Sequence, residues 1–377
     1  MSQSPNLLTI GFSKRSLLDG SRDQERQVAY ARRLSSLHAV IFTRKSDGFK
    51  EVVQKGNTFF YPTNARTKIG MLWAAHKIGR RILKDAPAGS EWFVSSQDPF
   101  ETSLVGRALA WRFAVKHHVQ VHGDLFGRFW RRESLLNRLR YWYGVYLVKQ
   151  ASGIRVVSQR IKSSLIKLGV SEAKISVLPI QFSLQRYLRI GANRNTSAGD
   201  RCRFIYVGRL SPEKNVTLLL QSFHELAQSV SGASLTIVGD GPERIALEQQ
   251  VADYQLTDKV TFTGWNEQVE EVLAEHDCLL LSSNHEGWAM VLIEAMAAGL
   301  PVITTDVGCA GEIVQDQIHG FVVPVGDLEA YTQALSVMAS DQPTRQRFSQ
   351  AAYQTVQSLE LGEESYLDTW VAALTRS

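Results

Sequence analysis

Two α/β domains in tandem, each a doubly wound parallel sheet, are the fold this sequence predicts. Three observations predict it. The chain has 377 residues, more than one hydrophobic core ordinarily organises and suited to two domains of common size. Short apolar runs alternate with longer amphipathic stretches along both halves, the pattern of βαβ units with parallel strands. Charge also divides along the chain. Residues 1–195 hold 33 Lys and Arg against 12 Asp and Glu, whereas residues 196–377 hold 9 against 25. The halves therefore carry +21 and −16 within a net charge of +5, which fits two domains with different partners.

The strand-like runs of the first half are residues 7–11, 39–42, 92–94, 119–122, 155–157 and 175–178. Those of the second half are residues 204–207, 234–238, 260–263, 278–281, 302–304 and 320–323. Between the halves, Gly191 to Asp200 is polar, rich in small residues and aperiodic, and reads as a loop near the junction. The hinge is expected to start near Pro179, and residues 365–375 read as a helix with Trp370 on its apolar face. These divisions predict a basic Rossmann-like domain over 1–185 and an acidic one over 186–355. A C-terminal helix within 356–377 is expected to pack back towards the first domain. Tandem doubly wound sheets predict a ligand in the cleft between them, where strand carboxyl ends and helix N-termini meet.

Composition narrows the class. With 44% hydrophobic and 21% charged residues, the chain is neither disordered nor fibrous. Cys202, Cys278 and Cys309 lie far apart, form neither a disulfide framework nor a zinc pattern, and suit a reducing cytoplasm. No signal peptide is expected, because the apolar run from Leu7 to Phe12 reads as a first strand. No stretch approaches the about 18 uninterrupted apolar residues of a membrane span. The expectation is a cytoplasmic protein, soluble or bound peripherally to the inner face of a membrane. Its basic half should draw an anionic partner, or else carries solvated helix faces.

The most informative stretch runs from Asn284 to Pro301 after an apolar run. Its residues favour a helix from Gly287 until Gly299 and Pro301 stop it. Glu286 should lie in the turn before that helix and Glu294 about two turns inside it, roughly 12 Å away at helical rise. One carboxylate can then meet a sugar and the other a ribose, through charge-assisted hydrogen bonds to hydroxyls. Helix-start amides around Ala289, Met290 and Val291 would face a diphosphate between them. A second piece runs from Val207 to Asn215. There Gly208 admits a ligand to the backbone, Arg209 offers a planar fork, and Lys214 a mobile point charge for phosphate. Those two cations stand out in a half that has only nine. They can neutralise a leaving diphosphate without a metal ion. Gly239, in a glycine turn after a strand, and Trp265, after the next strand, are weaker donor-site candidates beside a purely structural reading.

Together these pieces resemble the retaining glycosyltransferases of family 4, which have the GT-B fold. The motifs cover residues 203–327, and the order of elements covers nearly the whole chain. The resemblance implies that Arg209 and Lys214 bind the diphosphate of a nucleotide-sugar donor, Glu286 the sugar and Glu294 the ribose. It implies no cofactor and no metal, and the absence of two aspartates spaced by one residue agrees with metal-independent chemistry. A UDP- or GDP-sugar would lose its sugar, with retained configuration, to an acceptor hydroxyl. The acceptor implied is a lipid-linked glycan or glycolipid of cell-surface polysaccharide synthesis. The chain departs from the family at Pro179 to Ser183, where a proline-asparagine-glycine segment is common, and at Asn215, where glycine is frequent.

The first half should hold the acceptor. His122 ends a strand beside Gly123, and a histidine here lies near the transferred sugar in related enzymes. It would orient the acceptor or lend its backbone carbonyl, and Asp124 would accept the acceptor's proton; a satisfied structural histidine is the alternative. Gly20, before a helix, is a further candidate for holding donor phosphates, and residues 95–100 a candidate cleft loop. Arg128, Trp130, Arg131, Arg132 and Trp142 mix basic and aromatic character around a helical stretch whose Leu135, Leu139, Trp142 and Tyr146 share one face. That suits an anionic membrane interface, unless the face packs on the sheet. Rivals are an epimerase or phosphorylase of similar fold and, from another class, a basic nucleic-acid-binding module. The last leaves Arg209 and Lys214 unexplained, so no nucleic acid is expected.

Overall fold

The computed structural model describes residues 4–49, 52–180, 183–194, 202–359 and 362–375. Gln181 and Phe182 of the expected hinge, and residues 195–200 of the expected junction loop, lie outside the described residues. The chain divides into two compact units: unit 1 is residues 1–181 with 361–377, and unit 2 is residues 182–360.

Unit 1 contains strands β1 (Asn6–Gly11), β2 (Ser36–Ile41), β3 (Val53–Lys55), β4 (Thr58–Pro62), β5 (Trp92–Ser96), β6 (Lys116–Val121), β7 (Gly153–Val156) and β8 (Ile175–Val177). Its helices so far are α1 (Arg22–Ala31), α2 (Lys68–Lys84), α3 (Glu101–Phe113), α4 (Arg128–Arg132), α5 (Leu135–Gln150) and α6 (Gln159–Lys167). The strands lie in the order β3-β4-β2-β1-β5-β6-β7-β8. All neighbours are parallel except β3 and β4, an edge hairpin that sequence reasoning missed. Successive residues of β1 point to opposite faces. Leu7 joins Tyr30 of α1 in one buried cluster, while Leu8 and Ile10 join Met71 and Ala75 of α2 in another. Both faces are thus covered, as a parallel sheet requires.

Unit 2 contains strands β9 (Cys202–Val207), β10 (Ala233–Val238), β11 (Val260–Gly264), β12 (Cys278–Leu281), β13 (Val302–Thr305) and β14 (Gly320–Val323). Its helices are α7 (Gln185–Ala192), α8 (Val216–Ser229), α9 (Arg244–Asp253), α10 (Val269–Ala274), α11 (Met290–Ala297), α12 (Leu328–Ser340) and α13 (Gln342–Leu359). The order β11-β10-β9-β12-β13-β14, with parallel neighbours throughout, is that of a dinucleotide-binding sheet. Phe204, Leu235 and Leu280 pack with Phe223 of α8 and Leu335 of α12. A last helix, α14 (Glu363–Thr375), belongs to unit 1. There Tyr366, Leu367, Trp370 and Leu374 are buried with Leu7 and Tyr30. Trp370 stacks on Tyr30 at 4.3 Å with the rings 7° apart. Among the described residues no helix is long and apolar enough to cross a membrane.

Candidate active site

Strand order in unit 2 reverses between β9 and β12. In open parallel sheets the crevice beyond such a switch point is where ligands bind. The loop after β9 runs from Gly208 to Asn215, and the loop after β12 from Ser282 to Ala289. Backbone and side-chain bonds hold the two loops together. The Asn284 amide donates to the Glu213 carbonyl at 2.8 Å, and the Ser282 hydroxyl to the Lys214 carbonyl at 3.0 Å. This brings Lys214 Nζ to 2.5 Å from Glu286 Oε1, across 72 residues of sequence. The same carboxylate oxygen accepts the Ser283 hydroxyl at 2.8 Å. Both partners are mostly shielded from water, where an ion pair feels less screening than on the surface.

Glycines let the neighbouring loop in. The Gly208 amide donates to Val238 O and the Leu210 amide to Asp240 O, each at 3.0 Å. Gly239 has φ 138°, and a Cβ there would stand 1.9 Å from the Gly208 carbonyl oxygen. A Cβ on Gly241 would stand 2.2 Å from Leu210 O. Backbone contact therefore accounts for Gly239. Arg209 is exposed, and among the described residues its guanidinium forms no ion pair. Its carbonyl accepts the hydroxyl of fully buried Tyr206 at 3.0 Å. Asn215 adopts φ 48°, ψ 47° at the start of α8. Asparagine tolerates that left-handed geometry better than other side chains, which explains its presence where glycine is frequent.

The helix carrying Glu294 begins later than the sequence predicts. Ala289 takes φ 60°, ψ 64° and delays the start of α11 to Met290, so Glu294 lies just over one turn inside, not two. No side chain caps this end, which leaves the amides of Met290 and Val291 without a capping partner. The turn is held from outside, where the Cys309 amide donates to Trp288 O at 3.1 Å. Trp265 is exposed after β11. Gly20 lies in unit 1, on an exposed turn whose amide donates to Gln24 Oε1 at 3.2 Å. The structure thus joins Gly208, Lys214 and Glu286 at one switch point.

Unit 1 reverses its strand order between β1 and β5. A pocket of about 270 Å³ opens there, lined by Gly11, Ser13, Gln97, Gln120, His122 and Arg155 among others. His122 Nε2 lies 3.1 Å from Gln97 Oε1, whose Nε2 donates to Thr9 Oγ1 at 3.0 Å. Nδ1 of His122 is buried without a hydrogen-bond partner. Burial, and then Arg155 and Arg26, push the His122 pKa down to about 3. The ring is therefore neutral at physiological pH, too weak a base to take a proton but able to accept a hydroxyl's hydrogen bond. Asp124 does not line this pocket; its carboxylate lies so close over Gly127 that a Cβ there would meet Oδ2 at 2.4 Å. Sequence reasoning passed over Arg155, although an arginine inside an apolar strand is a signal in itself.

The basic-aromatic stretch divides. Trp130, expected at a membrane face, is only 8% exposed because it stacks on Phe100 at 5.0 Å, 1° from parallel. Helix α5 turns Asn137, Gly144, Leu147 and Val148 inward. Gly144 lies so close to Phe100 that a Cβ would meet its ring at 2.6 Å. The opposite face, with Leu135, Leu139, Trp142 and Tyr146, is exposed, Trp142 at 72%. That face does not pack on the sheet. Arg131, Arg132 and Arg138 form a hollow with Trp142, and Arg128 is exposed beside them.

Comparisons agree with this architecture. The model of Glycosyltransferase Family 4 matches residues 28–182, and that of Glycosyl transferases group 1 matches residues 192–355. The chain is 33% identical over 152 residues to the N-acetyl-alpha-D-glucosaminyl L-malate synthase of Bacillus anthracis, a match covering 40% of each chain. The chain thus spans about two-fifths of the length of that relative. It is 25% identical over 257 residues to the Escherichia coli UDP-Gal:alpha-D-GlcNAc-diphosphoundecaprenol alpha-1,3-galactosyltransferase, covering 64% of this chain and 65% of that one. Among solved structures, Anabaena HepE in complex with UDP and glucose superposes with a TM-score of 0.74 at 17% identity, over 98% of this chain and 99% of that one. At that identity the likeness shows the fold.

Proposed function

Since the chain belongs to the family-4 type of GT-B glycosyltransferases, we propose that it moves a sugar from a nucleoside-diphosphate sugar to an acceptor hydroxyl, with retention. The observation that carries this reading is the 2.5 Å ion pair of Lys214 and Glu286 beside Gly208, at the switch point of unit 2. Arg209 and Lys214 bind the diphosphate, and the amides of Met290 and Val291 add the positive end of α11. Glu286 holds the sugar hydroxyls and Glu294 the ribose. Ala289 sets the turn, and Trp265 borders the base. The donor's pull on Lys214 replaces the one Glu286 supplies in its absence, freeing the carboxylate for the sugar.

In the transfer itself, the bond from the anomeric carbon to the diphosphate breaks and its electron pair leaves with the diphosphate. The acceptor oxygen bonds to the same face of that carbon, and its proton passes to the departing phosphate. The two cations stabilise the charge as it develops. Unit 1 holds the acceptor, with neutral His122 orienting the hydroxyl and Asp124 ordering the loop that follows. Two relatives act on different acceptors by name, one on L-malate and one on a diphosphoundecaprenol-linked sugar. A lipid-linked glycan is the acceptor proposed here. Mass spectrometry of the products from UDP- and GDP-sugars with lipid-linked glycan extracts tests the reading. One sugar mass should move to an acceptor, and proton NMR should show the donor's anomeric configuration kept. Conversion without an acceptor, or only with inorganic phosphate, would contradict it.

The exposed face of α5 supports a peripheral contact with an anionic membrane. Leu135, Leu139, Trp142 and Tyr146 supply apolar surface, and Arg128, Arg131, Arg132 and Arg138 supply charge. Each basic residue near such a surface adds about 1 kcal/mol of attraction. The protein should sediment with vesicles containing anionic lipid, and less so as salt rises. Replacing Leu139 and Trp142 by glutamate should abolish sedimentation while leaving stability within about 0.5 kcal/mol, since both side chains are mostly exposed. Binding only to neutral vesicles, or none, removes this contact.

A further inference from the structure

The pocket of unit 1 is built around a buried cation without a counter-ion. Arg155 is 2% exposed and lines the cavity. Its guanidinium donates to four neutral oxygens: Leu178 O at 2.9 Å, Gln120 Oε1 at 3.0 Å, Pro179 O at 2.8 Å and the Tyr366 hydroxyl at 2.8 Å. No carboxylate pairs with it among the described residues. A charge this shielded ordinarily finds a partner of opposite sign. Arg26 lines the same pocket, and among the described residues it pairs with one acid, Asp23 at 2.9 Å, which leaves the pocket's balance positive. Beside these cations stands His122, with its buried, unpartnered Nδ1.

We infer that this pocket accepts an anionic group of the acceptor, a carboxylate or a phosphate, against Arg155 and Arg26, while His122 Nδ1 takes a hydrogen bond from a neighbouring hydroxyl. The inference rests on the acceptor reading of unit 1 and narrows it to acidic acceptors. The same geometry makes Tyr366 a positioning residue. Its hydroxyl accepts from Arg155 and donates to Pro179 O at 2.8 Å, so α14 fixes the guanidinium at the cavity wall. A fork held by rigid neutral acceptors keeps its charge available, whereas a neighbouring carboxylate would cancel it.

The test is calorimetric titration of the full chain with glucuronate, glucose 6-phosphate and glucose, the donor site being saturated with whichever nucleoside diphosphate binds. At least one anionic sugar should bind 10-fold or more tightly than glucose, and the tighter one identifies carboxylate or phosphate as the group. Arg155→Gln should remove that preference while nucleotide affinity stays unchanged. Should Arg155→Gln fail to fold, Arg26→Gln and Tyr366→Phe carry the test. Each should lower anion affinity several-fold with glucose affinity constant, an effect a merely structural role would not produce. Equal affinity for all three sugars, no sugar binding by a protein that still binds nucleotide, or a preference that survives these substitutions overturns the inference. Loss of nucleotide binding in the wild type would strike the proposed function instead.

Discussion

In the donor site proposed here, Lys214 and Glu286 meet across 72 residues of sequence. Each is a charge that would be costly to shield alone, and each is stabilised by the other at 2.5 Å. Around them, conformation is constrained at single residues. Gly239 has φ 138° with its Cα against the Gly208 carbonyl. Gly239→Ala should therefore destabilise unit 2 by about 2–4 kcal/mol, from left-handed strain together with overpacking. Urea denaturation followed by the fluorescence of unit-2 tryptophans measures it; a change under about 0.5 kcal/mol would contradict the backbone contact. The residue types of this site were legible in the sequence, because two isolated cations in an acidic half and a Glu pair beside glycines are rare combinations. Two features were not. Ala289 gives no sign of its φ of 60°, since alanine is an ordinary helix former. Arg155 reads in sequence as part of a strand, and its lack of a counter-ion among the described residues is a fact of three dimensions.

At the scale of elements, β6 carries the clearest consequence of burial. His117 and His118 are both buried, and burial pushes their pKa values down to about 4 and about 3. Arg107 adds to the effect at His117, and Arg155 at His118. A lowered value means that the unfolded chain binds protons which the folded chain refuses. The stabilisation is thus present above pH 6.5 and lost as pH falls towards the folded values. Each histidine contributes a slope of up to about 1.4 kcal/mol per pH unit. The melting temperature should therefore fall steeply between about pH 6 and pH 4, and less steeply in His118→Gln. A flat profile there would contradict the burial of β6. The strands of unit 2 were readable because short β-branched and apolar runs recur along it, several of them stopping at glycine or serine, as at Gly208, Gly239 and Ser282. The hairpin of β3 and β4 was not, because three and five residues around Gly56 and Asn57, ending in Pro62, look like a loop. On α5 the amphipathic pattern identified two faces without telling which is covered. Gly144 against Phe100 decides it and leaves Trp142 outside, while Trp130 of α4 is buried by stacking on the same Phe100.

For the whole molecule, the division of charge follows the division of labour proposed here. Unit 1 concentrates the cations that suit an acidic acceptor and an anionic surface. Unit 2, acidic in bulk, reserves Arg209 and Lys214 for the diphosphate. The chain returns to unit 1 through α14, whose Tyr366 and Trp370 complete that unit's core and whose Tyr366 hydroxyl accepts from Arg155. In the proposed reaction unit 2 binds a nucleoside diphosphate through the pair of loops joined by Lys214 and Glu286. The most direct measurement is the thermal shift of the wild type and of Lys214→Ala, verified as folded by circular dichroism, with UDP, GDP and their common sugars. At about 100 times its dissociation constant, a true ligand stabilises by about 2.7 kcal/mol. At least one nucleotide should therefore raise the wild-type melting temperature by several degrees, and Lys214→Ala should bind it about 100-fold more weakly. No shift with any nucleotide, or an undiminished shift in Lys214→Ala, would contradict the claim.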